Sequence, residues 1–204
     1  PGMRKNDLVA EIMHAGAQGH QGHYGDYTSF VPLIGVGDEA AACHMTWNDQ
    51  QLNNNEGMFL ELAGAYARYH CPCSRTLFLG DPTQQYLDIE KVISECIENA
   101  ISMFKPGITC AEISDDFTAT LKKYGYKKNN RCGYPIGLSY PPDWGERTMS
   151  LREADQTILE ENMTFHFMPA IWFDDWGFEM TESIRVGQNG GECLSKVPRQ
   201  LLVK

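Results

Sequence analysis

Apolar and polar positions alternate along this chain with two periods, and the helical period is the clearer one. Residues 83–104 carry apolar side chains three and four positions apart, which places them on one face of a helix, until Pro106-Gly107 ends the pattern. Thr109 and Glu112 then form a capping-box pattern, so a second helix is expected over the sequence CAEISDDFTATLKKYG.

The same arrangement occurs at the start of the chain, where Pro1-Gly2 precedes NDLVAEIMHAG much as Pro106-Gly107 precedes CAEISDDFTAT. Both segments indicate an internal duplication, and chance similarity of two short segments is the alternative. The later copy has a long helix before its Pro-Gly turn, and the early copy has none. We therefore expect residues 1–204 to form a single catalytic domain that lacks its first helix and a preceding N-terminal domain.

Five further segments are rich in β-branched and aromatic residues and are bounded by Gly, Asn and Pro, which is typical of strands. They are SFVPLIGVG, GMFLELAGAYARYH, SRTLFLG, MTFHFMPAIWF and GFEMTESIRVG. These segments follow one another in runs suited to hairpins, while the helices are few and long. The pattern predicts an α+β fold with a mostly antiparallel sheet.

Composition and charge exclude several classes of protein. The 204 residues, 42% hydrophobic and 22% charged, suffice for one well-buried globular domain. No stretch approaches the ~20 apolar residues of a membrane helix, and the first residues lack the apolar core of a secretory signal. The formal net charge of −10 argues against nucleic acid or an anionic membrane as a partner.

The seven cysteines are odd in number and irregularly spaced, which favours reduced thiols and a cytoplasmic location. Cys71 and Cys73, beside His70, are zinc-type ligands, but no second pair of ligands stands at a closing distance. Buried free thiols are the expected state.

Taken in order, the segments resemble the creatinase/aminopeptidase superfamily, whose pita-bread fold has two duplicated halves around one active-site cleft. The resemblance begins at Pro1-Gly2 and continues through His44 in AACHMTW and the hairpin sequence ELAGAYARYHCPCSRTLFLG. It ends with RCGYPIG, MTFHFMP and GFEMTESIRV. The resemblance implies a curved, mostly antiparallel sheet that encloses the cleft.

Metal-dependent members of this superfamily bind two divalent ions through two Asp, one His and two Glu, because such ions need oxygen and imidazole ligands. The matching positions of this chain are Glu61, Pro72, Tyr134, Met168 and Thr181, with Glu182 beside the last. One or two carboxylates cannot hold two ions. The resemblance therefore implies a site without a metal and an enzyme without a cofactor.

Two features of the superfamily are retained. His44 matches the histidine at the mouth of the cleft in peptidases and in creatinase, and Glu61 matches a carboxylate that the metal-free creatinase also has. Glu61 lies between apolar neighbours in FLELAG, where burying an unpaired carboxylate is costly. We therefore expect His44 and Glu61 to be a catalytic acid–base pair. A hydrogen-bonded surface histidine and an edge-strand charge are the alternatives.

A more specific resemblance is to the ectoine hydrolases. It is carried by GYPIGLSYPPDWGERTMSLR (133–152), RYHCPCSRT (68–76), MTFHFMP (163–169) and VPRQLLVK (197–204). It implies hydrolysis of the cyclic amidine ectoine to N-acetyl-2,4-diaminobutyrate. A protonated amidine is already electrophilic and positive, so a metal dication beside it would repel the substrate.

The expected roles follow from that chemistry. Glu61 acts as general base on water or attacks the amidine carbon, and His44 protonates the departing nitrogen. Tyr134 orients the substrate, while Glu182, with Glu179 as the alternative, pairs with the amidinium nitrogens. Three aromatic residues are candidates for a cage around the cation, with core packing as the alternative: Trp47, Tyr140 and Trp144. Arg147 is the candidate for binding the substrate carboxylate.

Three other functions remain open at this stage. They are a metal-dependent aminopeptidase or prolidase, a creatinase-type hydrolase of another amidine or guanidine, and a pita-bread domain that binds peptides without catalysis. Bound metal, substrate assays and peptide binding would distinguish them. The resemblance also implies a homodimer that acts on a small molecule, because ectoine hydrolases and creatinases work as dimers.

Overall fold

Three α-helices and ten strands form the regular structure in a computed structural model that describes residues 1–204. The helices are α1 (Lys5–Gln18), α2 (Gln84–Met103) and α3 (Cys110–Lys123), and a short 3₁₀ helix spans Gly37–Ala41. The strands are β1 (Leu33–Val36), β2 (Glu56–Tyr66), β3 (Tyr69–Leu79), β4 (Gly133–Pro135), β5 (Thr164–Phe167), β6 (Ala170–Trp172), β7 (Gly177–Glu179), β8 (Glu182–Arg185), β9 (Glu192–Cys193) and β10 (Leu202–Val203).

The strands form two four-stranded sheets with the same topology in their first three strands. The first sheet has the order β1-β2-β3-β10 and the second has the order β4-β5-β8-β9. All pairs within these sheets are antiparallel except β3 with β10. The strands β6 and β7 form a separate antiparallel pair. The predicted α+β class with mostly antiparallel sheets is confirmed.

The predicted duplication is visible in the backbone hydrogen bonds of the two halves. Gly2 N donates to Leu52 O at 2.7 Å, and Gly107 N donates to Leu159 O at 3.1 Å. Gly2 and Gly107 have φ angles of 82° and 91°, a region that glycine adopts without steric cost. In each half the turn leads into a 14-residue helix, α1 or α3. The two segments therefore share one local structure as well as one sequence pattern.

The main core lies between the α2–α3 helix pair and the second sheet. The fully buried Ile89 of α2 belongs to the same cluster as Phe165 and Phe167 of β5. At the start of α3, Thr109 Oγ1 accepts the N–H of Glu112, and the Glu112 carboxylate accepts the N–H of Thr109 at 2.8 Å. The capping box predicted from the sequence is therefore present, and it satisfies two backbone donors of the first turn.

Two segments expected to be single strands are each broken. MTFHFMPAIWF is divided at Met168-Pro169 into β5 and β6, which belong to different sheets. Pro169 has no N–H to donate, so it cannot continue the ladder. GFEMTESIRVG is divided at Met180-Thr181 into β7 and β8, because Thr181 N donates instead to Ser74 O of β3 at 3.1 Å.

The hairpin expected over ELAGAYARYHCPCSRTLFLG is present as β2 and β3, and the strand-like segment GMFLELAGAYARYH includes its turn. Ala67 and Arg68 form this turn with φ angles of 48° and 68°, although neither is a typical turn residue. The buried Arg68 guanidinium donates to Ser139 O at 2.7 Å and to Ser29 Oγ at 3.0 Å, and it pairs with Asp26 at 3.3 Å. Contacts distant in sequence therefore stabilise the turn.

No helix is both long enough and apolar enough to cross a membrane. None of the seven cysteines forms a disulfide. Cys71 and Cys73 are partly buried thiols whose pKa values are raised by burial, and neither belongs to a group of side chains that could hold a metal ion.

Candidate active site

A cavity of about 290 Å³ lies where the two halves of the fold meet. Glu61 of β2, Tyr134 of β4 and Glu179 of β7 line it. Trp144 also lines it and comes from the loop after β4 that contains Pro141-Pro142, called the Pro-Pro loop below. His44, which follows the 3₁₀ helix, lines it as well. A cavity of this size suits a small molecule.

Glu61 is a buried carboxylate without a hydrogen-bond partner. The residue is 5% exposed and lies on β2, paired with Leu33 of β1 and Ser74 of β3. Its one contact at ion-pair distance is His166 Nδ1 at 3.7 Å. Burial, reinforced by the charge of Glu179, raises the pKa of Glu61 well above its ordinary value. The position therefore favours a positively charged ligand that would stabilise the ionised form.

Glu179 is equally buried but has a partner for each oxygen. Ser74 Oγ donates to Oε2 at 2.8 Å, and Trp172 Nε1 donates to Oε1 at 2.9 Å. Burial raises the pKa of Glu179 to about 7, although both hydrogen bonds and the charge of Lys128 favour the carboxylate. Glu179 is therefore held in one orientation, and its burial favours the protonated form.

A chain of neutral hydrogen-bonding groups connects the wall of the cavity. Trp144 Nε1 donates to Tyr134 Oη, which lies 2.9 Å from His166 Nδ1. His166 Nε2 lies 2.7 Å from Thr181 Oγ1. Burial lowers the pKa of His166 to about 3, so its imidazole is neutral, with one N–H and one acceptor nitrogen. One of the two hydroxyls must therefore accept from His166 and keep its own proton for a ligand.

The structure brings together five of the nine predicted site residues, namely His44, Glu61, Tyr134, Trp144 and Glu179. His44 is exposed, and its ring centroid lies 5.5 Å from that of Phe30. Trp144 is 3% exposed, so it packs in the protein as well as lining the cavity. The expected acid–base pair lines one cavity without a direct hydrogen bond between its members.

Two predicted cage residues lie outside this cavity. Trp47 packs against a small cluster that includes Val9 of α1. The ring of Tyr140 lies over Arg68, with its centroid 4.7 Å from the guanidinium carbon. The cation that Tyr140 contacts is therefore one of the protein's own, and only Trp144 of the three predicted cage aromatics reaches the cavity.

The two remaining predicted residues also lie elsewhere. The side chain of Arg147 is 85% exposed and approaches Asp143 at 3.9 Å. Glu182 is 1% exposed and forms a buried ion pair with Arg75, which leaves Oε2 without a partner. Neither lines the cavity, so of the two glutamates expected to pair with the amidinium nitrogens only Glu179 shares the cavity with Glu61.

Sequence reasoning did not single out three cations near this cavity. Lys128 Nζ donates to Met168 O at 2.8 Å and lies 4.7 Å from the centroid of the Trp172 ring. Burial lowers the pKa of Lys128 to about 8, partly offset by the attraction of nearby acidic groups that include Glu179. Arg131 and Arg152 line the cavity itself. The signals in the sequence were the basic segment before GYPIG, which contains Lys128 and Arg131, and the end of the segment 133–152, which is Arg152.

The residues at the five metal-ligand positions do not fit a site for two metal ions. Glu61, Tyr134, Met168 and Thr181 line the cavity, whereas Pro72 lies on β3 outside it. A thioether and neutral hydroxyl groups are poor ligands for hard divalent ions. No group of three or more His, Cys, Asp or Glu side chains in the chain could hold a metal ion.

Comparison with curated proteins gives relatives over the whole chain. The chain is 50% identical over 210 residues to an ectoine hydrolase of Halomonas elongata, covering 100% of this chain and 53% of that enzyme. It is 37% identical to an uncharacterized hydrolase/peptidase of Sinorhizobium fredii, with 100% and 52% coverage. A Xaa-Pro dipeptidase of Pyrococcus horikoshii is 25% identical over 85% of this chain and 49% of its own length. The chain thus spans about half the length of these relatives.

Solved structures show the same fold. A dipeptidase of Pyrococcus horikoshii superposes with a TM-score of 0.88 at 22% identity, over 100% of this chain and 55% of that one. Dipeptidase PepE of Mycobacterium ulcerans gives 0.86 at 23% identity, over 100% and 53%. The fold is therefore the pita-bread fold of these enzymes. Residues 1–189 match the profile of metallopeptidase family M24, and this protein belongs to that family.

Proposed function

We propose that this protein adds water to the amidine carbon of ectoine and opens the ring to N-acetyl-2,4-diaminobutyrate, without a metal. The observation that carries the proposal is the Glu61 carboxylate, which is buried, lines the cavity and has no hydrogen-bond partner. A buried carboxylate is strongly stabilised by a cationic partner. A protonated amidine would be that partner.

Sequence similarity supports the choice of substrate. The relative from Halomonas elongata is named an ectoine hydrolase and shares half of the aligned residues with this chain. Residues 133–152, which carry the resemblance to ectoine hydrolases, contribute Tyr134, Asp143 and Trp144 to the cavity wall. The distinctive sequence therefore lies where a substrate would be recognised.

Glu61 begins the proposed reaction. An amidinium group beside it favours the ionised carboxylate, which opposes the effect of burial on the pKa of Glu61. The carboxylate then removes a proton from an attacking water, or it attacks the amidine carbon itself. Both routes give a tetrahedral adduct, and the second adds a covalent intermediate that water must hydrolyse.

Breaking the ring C–N bond requires a proton on the departing nitrogen. His44 lines the cavity and makes no hydrogen bond with the protein, so we assign it as the acid. The oxygen delivered by water needs a hydrogen-bond donor as the adduct forms. The free hydroxyl proton of Tyr134 or Thr181, left by the neutral His166, provides one.

The chemistry of the substrate supports a reaction that needs no metal. A metal ion helps a peptidase because it polarises a poor electrophile, the peptide carbonyl, and ionises water. A protonated amidine is already polarised, and a dication beside it would raise the energy of the bound substrate. This chain has a carboxylate at only one of the five metal-ligand positions, which is consistent with a site that binds a cationic substrate instead of a metal ion.

The test is an assay of the full-length, metal-stripped protein with ectoine in the presence of a chelator, following the N-acetyl product by mass spectrometry. Product formation at an undiminished rate is expected. Glu61→Gln should lower turnover by at least about 100-fold. Glu98→Gln, which changes an exposed glutamate of α2, is the matched control and should leave turnover unchanged.

Other outcomes would redirect the assignment. Activity that appears only with added manganese, cobalt or zinc, and on Xaa-Pro dipeptides, would support a metallopeptidase instead. Turnover of creatine but not ectoine would support a creatinase-type hydrolase. Tight binding of a long peptide with no turnover of either amidine or guanidine would indicate a binding module.

A further inference from the structure

Two arginines at the cavity are free to bind a ligand. Arg131 and Arg152 line the cavity, and neither guanidinium group makes a hydrogen bond or an ion pair with the protein. Every other arginine has a carboxylate, carbonyl or sulfur partner within the chain. Arg131 is half-buried and Arg152 is exposed. A guanidinium group carries five N–H donors in a planar fork, so both side chains can offer donors to a ligand in the cavity.

Backbone hydrogen bonds join the segments that carry these two arginines. Cys132 N donates to Leu151 O at 2.9 Å and Leu151 N donates to Gly133 O at 3.0 Å, so the segments that carry Arg131 and Arg152 are bridged through their backbones. The guanidinium carbon of Arg131 also lies 4.4 Å from the centroid of the Tyr134 ring. Stacking of this kind fixes the plane of the guanidinium group and leaves its edge free for hydrogen bonds.

We infer that Arg131 and Arg152 form a carboxylate-binding subsite, and that the cavity accepts zwitterionic small molecules with a carboxylate at one end and a cationic amidine at the other. The carboxylate would accept paired N–H donors from the arginines, a geometry in which guanidinium and carboxylate match well. The cationic end would lie toward Glu61 and Glu179. This assignment of the cationic end rests on the proposed function, whereas the anionic end rests on the arginines alone.

Neither of the other nearby cations is equally available. Lys128 does not line the cavity, and its ammonium group donates to Met168 O at 2.8 Å. Arg147, which the sequence suggested for this role, is 85% exposed and faces Asp143 at 3.9 Å. The carboxylate site therefore moves from the Pro-Pro loop to the two segments that flank it.

With arginines at one end of the cavity and glutamates at the other, a zwitterionic ligand would bind in one orientation. A carboxylate fixed at the arginines would hold the ring in one orientation and present the amidine carbon to Glu61. A ring without the carboxylate would lose both the charge-assisted hydrogen bonds and this orientation. The arginines should thus determine which amidines are hydrolysed, without taking part in the bond changes.

The experiment compares two substrates with the full-length protein. One is ectoine, and the other is 2-methyl-1,4,5,6-tetrahydropyrimidine, the same ring without a carboxylate. Arg131→Gln and Arg152→Gln should each lower kcat/KM for ectoine about 10- to 100-fold, while the value for the second compound changes less than about threefold. Arg185→Gln, which alters an exposed arginine paired with Glu192, should change neither value.

The outcomes that would overturn the inference are distinct from those that would overturn the proposed function. Equal losses for both compounds would indicate a structural role for the arginines. Arg147→Gln could instead lose the preference for ectoine over the ring without a carboxylate while the other two variants keep it. That result would show that Arg147, in the Pro-Pro loop, binds the substrate carboxylate.

If the wild-type protein hydrolyses neither compound, the proposed function fails while the subsite remains testable by calorimetry. The subsite would be supported if the wild-type protein bound ectoine more tightly than the ring without a carboxylate, and if Arg131→Gln and Arg152→Gln lost this difference in affinity. Equal binding of the two compounds would overturn it. The same titrations in the Glu61→Gln background report binding without turnover.

Discussion

Glu61 is a single residue whose burial opposes the stability of the fold. Its carboxylate is buried on β2, beside a neutral imidazole and without a hydrogen bond. Removing a carboxylate from water without a compensating partner costs free energy, and proteins avoid it except at functional positions. Glu179, which has a donor for each oxygen, shows how the same residue type is buried at lower cost.

Glu61→Gln should therefore be more stable than the wild-type protein near neutral pH. Burial raises the pKa of Glu61 in the folded state above the value of about 4.3 expected in the unfolded chain, so the folded state binds that proton more tightly. The stability linked to this proton is complete below about pH 4.3 and is lost as pH rises through the raised pKa. Glutamine does not ionise and avoids the loss.

The expected gain is about 0.5–2 kcal/mol at neutral pH, shrinking toward zero in acid. Urea unfolding of both proteins between about pH 4 and pH 8 measures it. A variant that is less stable than the wild type at neutral pH would show that the Glu61 carboxylate has a stabilising partner in the protein.

Lys128 should control the pH at which the site becomes active. Its positive charge lowers the pKa values of Glu61 and Glu179, opposing the effect of their burial. In Lys128→Met both carboxyl groups become harder to ionise, so the acidic limb of kcat/KM should move to higher pH by about one unit. Lys128→Arg should keep the limb near its wild-type position, and Lys127→Met, at an exposed neighbour, should not move it. If the acidic limb of kcat/KM stays at the same pH in Lys128→Met, the charge of Lys128 does not influence the groups whose ionisation controls activity.

Among the elements, the breaks between strands shape the cavity more than the strands do. The break at Met168-Pro169 and the break at Met180-Thr181 each put a side chain into the wall, Met168 and Thr181. The loop after β4 then brings Trp144 onto Tyr134, with 2.9 Å between Nε1 and Oη. Irregular segments held by regular ones are a common way to place functional groups.

Gly145 in this loop should tolerate no side chain. A Cβ at Gly145 would lie 2.8 Å from ring carbons of Tyr134, which would push the ring away from Trp144 and His166. Gly145→Ala should lower kcat/KM by about 100-fold, since a displacement of this order disrupts catalytic alignment. Gly64→Ala on β2, where nothing lies within 4 Å of the added atom, is the control. Equal activity in the two variants would show that the Tyr134–Trp144 contact is not needed for catalysis.

At the scale of the whole molecule, the site exists only because the two halves pack together. Ser74 of the first half donates through its N–H to Thr181 Oγ1 at 2.7 Å and through its hydroxyl to Glu179. Thr76 Oγ1 likewise bonds to the backbone of Glu179. These contacts cross from β3 to β7 and β8, so Glu61 from one half and Glu179 from the other become neighbours.

The C-terminal residues are part of this packing, and Leu201→Ala should test their contribution. Leu201 is 6% exposed in the main core, and the following β10 pairs in parallel with β3. The substitution should lower the free energy of unfolding by about 2–4 kcal/mol because it leaves a cavity. Leu194→Ala, at an exposed site, should cost less than about 0.5 kcal/mol. Similar losses in both variants, measured by urea unfolding, would mean that the tail is only loosely attached.

Assembly into a homodimer stays a prediction. Light scattering of the full-length protein across a range of concentrations would measure it. A monomer at all concentrations would contradict the expectation that the resemblance to creatinases and ectoine hydrolases raised.

The sequence by itself determined the helices and the fold class, and it singled out Glu61 as the candidate carboxylate. Helical spacing, the capping box at Thr109 and the Pro-Gly repeat are local signals, because they depend on backbone geometry within a few residues. Glu61 was recognisable for a related reason. It matches a carboxylate of creatinase, and a carboxylate between apolar neighbours in a strand pattern is costly to bury, so the resemblance and the local pattern together predicted a functional role.

Only the tertiary structure decided which polar side chains share the cavity. No local sequence pattern distinguishes Arg131 from Arg147, yet Arg131 lines the cavity and Arg147 faces solvent. The turn at Arg68 and the strand break at Thr181 depend on partners tens of residues away, which no local pattern encodes. Side-chain direction at these positions is fixed by packing between the two halves, and so the composition of the site, unlike the course of the backbone, could not be read from short-range patterns.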